Sequence, residues 1–250
     1  MKGKKSLSLL LVLVLLATAL VGCGNDDKET SNSETSEGEN IDSEQYFNFV
    51  LNAEPSTLDP SKGSDIYSWK VLQNIMEPLT RLEEDENQEM ELKPAGAKEW
   101  EISDDGLVWT FDLVENEWSD GEPVTANDYE FGAKRSVDPE TASPFAFLMT
   151  SIKNADEIIE GDMDPDELGV KALDDNTLEI TLKHPTPYFD QLTYQRVLLA
   201  QREDIVEEHG DTFGSEPDTL VYNGPFVLSQ WAHNSEVVLE KNDNYWDSDS

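Results

Sequence analysis

Residues 118–148 read WSDGEPVTANDYEFGAKRSVDPETASPFAFL, and the order of signals inside this stretch decides the fold. Trp118-Ser119-Asp120-Gly121 predicts a turn after a strand, because glycine accepts a positive φ without a Cβ clash. Pro123 and Thr125 then set up a helix. Thr125 stands as the N-cap, and Asp128, three residues on, supplies the acid of a capping box. The helix runs through VTANDYEFGAKRSV and gives way to a Pro- and Ser-containing stretch that ends in Phe145, Phe147 and Leu148.

Strand and helix signals alternate on both sides of this stretch. LVWTFDL (107–113) has period two, with Leu107, Trp109, Phe111 and Leu113 on one face. KALDDNTLEITL (171–182) predicts a hairpin turning at 174–176, with Leu178, Ile180 and Leu182 inward. Earlier, YFNFVLNA (46–53) alternates as a strand would, with Phe47, Phe49 and Leu51 together. IYSWKVLQNIMEPL (66–79) is helical, with Ile66, Trp69, Leu72 and Ile75 or Met76 as its apolar stripe, closed by Pro78. Toward the end, REDIVEEHG (202–210) predicts a short helix with Gly210 just past it. FVLSQWAHNSEVVLEK (226–241) predicts a hairpin turning at Asn234-Ser235. The class is mixed α/β, with short elements and no internal repeat. Most of the six tryptophans sit beside these apolar faces and are expected in the core, where large aromatics dominate packing.

Catalytic patterns are missing. The chain has no GxSxG, no phosphate-cradling glycine loop and no HExxH. His184, His209 and His233 share no ligand spacing. DMDPDELG (162–169) places carboxylates at alternate positions like a calcium loop, but Glu167 stands at the turn glycine and Leu173 at the bidentate acid. The reading is of a non-enzyme without metal or cofactor. Seventeen cations face 54 acids, a formal net charge of −37. Such an excess argues against nucleic acid and against anionic lipid headgroups, both of which need cationic surface. It fits a salty or alkaline habitat or, less directly, cationic ligands.

The N-terminus predicts export. Lys2, Lys4 and Lys5 precede an apolar run too short to be a comfortable membrane span, the pattern of a secretory signal over 1–22. Leu20-Val21-Gly22-Cys23 resembles the lipobox of bacterial lipoproteins. That resemblance implies a diacylglycerol on Cys23, which is the one cysteine in 250 residues, cleavage before it, and anchoring to the outer face of the cell membrane, as in Gram-positive bacteria. Residues 23–44 have almost nothing apolar to bury and are expected to be a disordered tether. Such a coil reaches on the order of 25 Å, at ~5–6 Å times the square root of its length.

From about residue 46 to the end the chain resembles the extracytoplasmic oligopeptide-binding proteins of ABC importers, solute-binding protein family 5. The resemblance is carried in order by LDP (58–60), by 92–129 (LKPAGAKEWEISDDGLVWTFDLVENEWSDGEPVTANDY), by 168–189 (LGVKALDDNTLEITLKHPTPYF), by NGPFVLSQW (223–231) and by KNDNYWD (241–247). Ala142-Ser143-Pro144 and the DDNTLEITL run are closest to its oligopeptide branch. It implies a type II periplasmic-binding-protein fold of two lobes, of which this chain holds the first and its inserted subdomain. The implied segments are 45–76 (first segment of lobe I), 77–200 (inserted subdomain) and 201–250 (return segment, incomplete). The second lobe follows in the family where this chain stops, which implies truncation at the C-terminus. It also implies a chain that by itself binds peptide poorly, since closure needs both lobes. In the resembling receptors a peptide lies extended between the lobes and adds to exposed backbone. The matching backbone edge here is Ser64, Asp65 and Ile66. A tyrosine of the family that reaches the ligand's amino end is Phe145 here, which keeps the ring as pocket wall and loses the hydroxyl. The implied function is capture of oligopeptides outside the cell, by a monomer, for delivery to an ABC permease. The alternatives are a receptor for dipeptides, nickel complexes or sugars, and a non-transporting surface lipoprotein acting as adhesin or decoy.

Overall fold

The computed structural model describes residues 45–248; the signal, Cys23 and tether expectations lie outside the described residues. From Phe49 onward the chain forms one compact unit.

A four-stranded antiparallel sheet is its centre, in the order β3-β4-β6-β5, from β3 (Ala97–Ile102), β4 (Val108–Leu113), β5 (Val170–Asp174) and β6 (Thr177–Thr181). The alternation of 107–113 sets the register. Trp109 lies opposite Ile180, and Phe111 opposite Leu178. On the outer strands Trp100 lies opposite Phe111, and Val170 opposite Ile180. One face is therefore a continuous apolar surface, and Trp109, Phe111, Leu113, Leu178, Ile180 and Leu182 are all buried. Burying each such side chain stabilises the fold by roughly 1.5–3 kcal/mol. Phe189 meets Trp109 edge-on, with ring centroids 5.2 Å apart.

Before the sheet come α1 (Ile66–Ile75) and the ribbon of β1 (Thr80–Glu84) with β2 (Met90–Pro94). Helix α2 (Ala126–Val137) packs on β5 and β6. Its capping box forms as expected: the Asp128 carboxylate accepts the Thr125 backbone N–H at 2.8 Å. Gly121 has φ +90° in the preceding turn. Gly132 is where α2 meets the 199–201 segment, since a Cβ there would stand 2.2 Å from the Leu199 carbonyl oxygen. The short helices α3 (Ala155–Ile159) and α4 (Glu203–His209) follow, with Gly210 ending α4 at φ +53°. Strands β7 (Phe226–Ala232) and β8 (Glu236–Lys241) close a hairpin whose turn holds Asn234 at φ +59°.

Two expectations are corrected. Residues 46–53 form no strand, and Tyr46 and Val50 are 84 % and 79 % exposed. Alternation prepares a strand, but a strand needs a neighbour to take its hydrogen bonds, and none of the described strands runs beside it. Helix α1 buries Ser68, Val71, Leu72 and Ile75, while Ile66 is 57 % exposed. Leu72, Ile75 and Met76 of the expected stripe are inside and Trp69 is half-buried, so the correction concerns Ile66, which stands in the exposed first turn.

Candidate functional site

The LDP segment leads into the predicted edge and is anchored at the bottom of a polar network. Asp59 is 2 % exposed and receives both ends of the Arg135 guanidinium, at 2.6 and 2.7 Å. The same guanidinium donates to the side chain of Gln201 at 2.8 Å, and the Gln201 amide donates to Ser61 Oγ at 2.9 Å. Leu58 N–H bonds to the carbonyl of Gly214 at 2.7 Å. A buried charge pair is tolerated when every member is satisfied, and this one ties the start of the edge to α2 and to the return of the chain.

The chain then turns. The N–H groups of Lys62 and Gly63 both donate to the Asp59 carbonyl, and Ser64 emerges exposed. Among the described residues the backbone N–H and C=O of Ser64 have no partner within the chain. Asp65 is extended, at φ −99° and ψ 162°, and caps α1 through the N–H groups of Tyr67 and Ser68. Its other oxygen accepts from the hydroxyls of Ser56 and Ser68, both at 2.6 Å. Burial works to raise the Asp65 pKa. The hydrogen bonds from Ser56 and Ser68 outweigh it and hold the carboxyl well below the usual range. Ile66 is the first helical residue, so the extended backbone ends at Asp65.

Phe145 belongs to another part of the chain, at the head of a 3₁₀ turn (Ala146–Met149). Arg196 connects it to the edge. Its guanidinium carbon lies 4.7 Å from the Phe145 ring centroid and 4.9 Å from that of Trp69. One end of the guanidinium donates to the carbonyl of Gly63, and the other reaches the carbonyl of Asp65 at 3.5 Å. Ser64, Asp65 and Phe145 are thus parts of one place, with Ile66 at its margin. Phe147, 61 % exposed, carries the aromatic wall outward, its ring centroid 6.2 Å from that of Phe145. Arg196 is 6 % exposed and forms no ion pair among the described residues. Burial lowers its pKa while the Asp65 charge acts to raise it.

Sequence reasoning missed Arg196, Trp69 and the Asp59–Arg135 pair. The one signal available for Arg196 is its place at the head of an apolar run, Val197-Leu198-Leu199, which predicts that its stem is drawn inside. Elsewhere, Asp164 caps a single turn of the 162–169 loop by accepting from Asp166 N–H. No group of three or more His, Cys, Asp or Glu residues able to hold a metal occurs among the described residues.

Known proteins share this fold and much of this sequence. A solved structure described as an oligopeptide ABC transporter from Bacillus anthracis str. Ames (substrate-binding domain) superposes with TM-score 0.77 at 44 % identity, covering 80 % of this chain and 38 % of that one. The dipeptide-binding protein DppE of Bacillus subtilis (strain 168) is 38 % identical over 237 residues, 94 % of this chain and 42 % of its own length. The probable deoxycholate-binding periplasmic protein YgiS of Escherichia coli (strain K12) is 39 % identical over 208 residues, 82 % of this chain and 38 % of its own. The chain therefore spans about two fifths of the length of these relatives. The profile described as "Bacterial extracellular solute-binding proteins, family 5 Middle" matches residues 91–250, well over half of the chain, and the chain belongs to that family.

Proposed function

We propose that this chain is the edge-bearing part of an extracytoplasmic receptor that captures oligopeptides and hands them to an ABC permease. The observation that carries this is the exposed, unpartnered backbone of Ser64, beside the extended Asp65 and linked through Arg196 to the Phe145 ring. An edge of backbone donors and acceptors pairs with any extended peptide, because every peptide offers the same groups, and aromatic walls accept varied side chains. The oligopeptide- and dipeptide-binding names of similar proteins support peptide as the ligand. The name of a third, deoxycholate-binding, keeps an amphipathic non-peptide ligand as the second reading. On our reading 45–76 and 201–250 belong to one lobe and 77–200 to an inserted subdomain. The bonds of Leu58 to Gly214 and of Gly224 to Ile75 support the joining of the two flanking segments. Cys23 carries the lipid anchor, and 23–44 lifts the folded part off the membrane.

The test is calorimetric titration of the protein, purified at the length the cell makes it, with a mixed tri- to pentapeptide library and separately with deoxycholate. Saturable peptide binding is expected. Binding of deoxycholate alone would replace the peptide reading with the second one.

A further inference from the structure

Asp65 and Arg196 hold the 63–65 segment from two directions, and only the Asp65 contacts are local in sequence. Ser56 and Ser68 are nine and three residues from Asp65, whereas Arg196 reaches Gly63 across 133 residues. Arg196 takes the carbonyls of Gly63 and Asp65, the residues on either side of Ser64. Ser64 between them is left with an N–H and C=O that no group of the described chain meets. Gly63 is itself crowded from below, since a Cβ there would lie 3.3 Å from Arg196 Nη1 and from the carbonyl oxygens of Thr57 and Asp59.

The guanidinium is suited to this work. It is planar and forked, stacks on aromatic faces and is only weakly hydrated, so it can bridge two carbonyls while lying over the Trp69 and Phe145 rings. Removing it would leave the carbonyl of buried Gly63 without a donor, which costs more than the bond itself contributes. We infer that Arg196 is a positioning residue for ligand capture: it locks the backbone of Gly63 and Asp65 against the aromatic pair so that Ser64 is presented for pairing with an extended peptide. This rests on the peptide reading above. It adds a residue that does not touch the ligand and yet sets its affinity, and it couples the Phe145 wall to the edge.

The test compares Arg196→Lys and Arg196→Met with the parent protein at its cellular length. The first readout, taken without ligand, is amide exchange at Gly63, Tyr67 and Ser68, with strand 108–113 as internal control. In the Met variant these amides exchange at least tenfold faster while 108–113 is unchanged; Lys, with a donor but no fork, falls between. The second readout is the affinity for a peptide and for its backbone N-methylated analogues. The parent loses tenfold or more toward the analogue methylated at the pairing position. The Met variant binds the unmodified peptide at least tenfold more weakly and loses little further on methylation. A merely structural role would leave that methylation penalty intact. If Met does not fold, the Lys variant carries both readouts with smaller changes in the same direction. Unchanged exchange overturns the clamp. Faster exchange with unchanged affinity and methylation penalty overturns its part in capture. If the parent binds no peptide, the receptor reading fails and the capture role with it, while the exchange readout still reports whether the clamp exists as a structural feature.

Discussion

Glu77 gives the sharpest quantitative expectation. It follows α1, is 3 % exposed, and its carboxylate accepts from Tyr245 Oη at 3.0 Å and from the Trp246 indole N–H at 3.4 Å. Burial is the leading influence and pushes its pKa up to about 7, against the pull of Arg81 and of these two donors. A folded value of about 7 against an ordinary 4.5 corresponds to about 3 kcal/mol. The sign follows from proton counting. Between pH 4.5 and 7 the folded state keeps a proton on Glu77 that the unfolded state has lost, so stability falls as pH rises through that window. Below it the contribution is fully present, and above it the contribution is lost. Glu77→Gln cannot ionise and removes this dependence, although one donor loses its acceptor at every pH. Urea unfolding of the parent and the Gln variant, followed by tryptophan fluorescence from roughly pH 4.5 to 8, isolates the effect because the other acids cancel in the difference. The variant is expected to be the less stable protein at the acid end and to gain about 3 kcal/mol on the parent by the alkaline end. A difference between the two proteins that stays constant across the range would refute the reasoning.

Three further outcomes are expected. Arg135→Met leaves the Asp59 carboxylate buried without its partner and should lower stability by about 3–5 kcal/mol in urea unfolding. Gly132→Ala places a methyl 2.2 Å from the Leu199 carbonyl oxygen, which is backbone and cannot swing aside; a loss of roughly 1–3 kcal/mol, seen as a lower Tm, is expected. Cys23→Ala should release the protein from membranes into the soluble fraction, and intact-mass measurement of the parent should find a lipid that the variant lacks.

Much of the framework is legible in the residues because it is local. The 107–113 alternation, the turn at 174–176 and the turn at Asn234-Ser235 need only neighbours a few positions away, and the strands they predict are present. The Thr125–Asp128 cap is equally local, since helix geometry brings N-cap and N3 together wherever the helix lies. The family was legible too, as a resemblance carried by an ordered series of motifs from LDP (58–60) to KNDNYWD (241–247).

What the sequence could not assign are the meetings of residues far apart. Among 54 acids and 17 cations nothing marks Asp59 and Arg135, 76 positions apart, as partners. Nothing marks Arg196 as the donor to Gly63. Which charged group meets which carbonyl depends on how loops close around the core, and a side chain's type says only what it can bond, not what arrives beside it. The same reason accounts for 46–53. Alternation is a property of the residues, but a strand is a property of a pair. The sequence by itself determined strands β4 to β8, the Thr125–Asp128 cap and the hairpin turns, and the family resemblance pointed to the edge after LDP. Only the tertiary structure decided that Phe145 stands beside that segment, and that one buried arginine holds the two together.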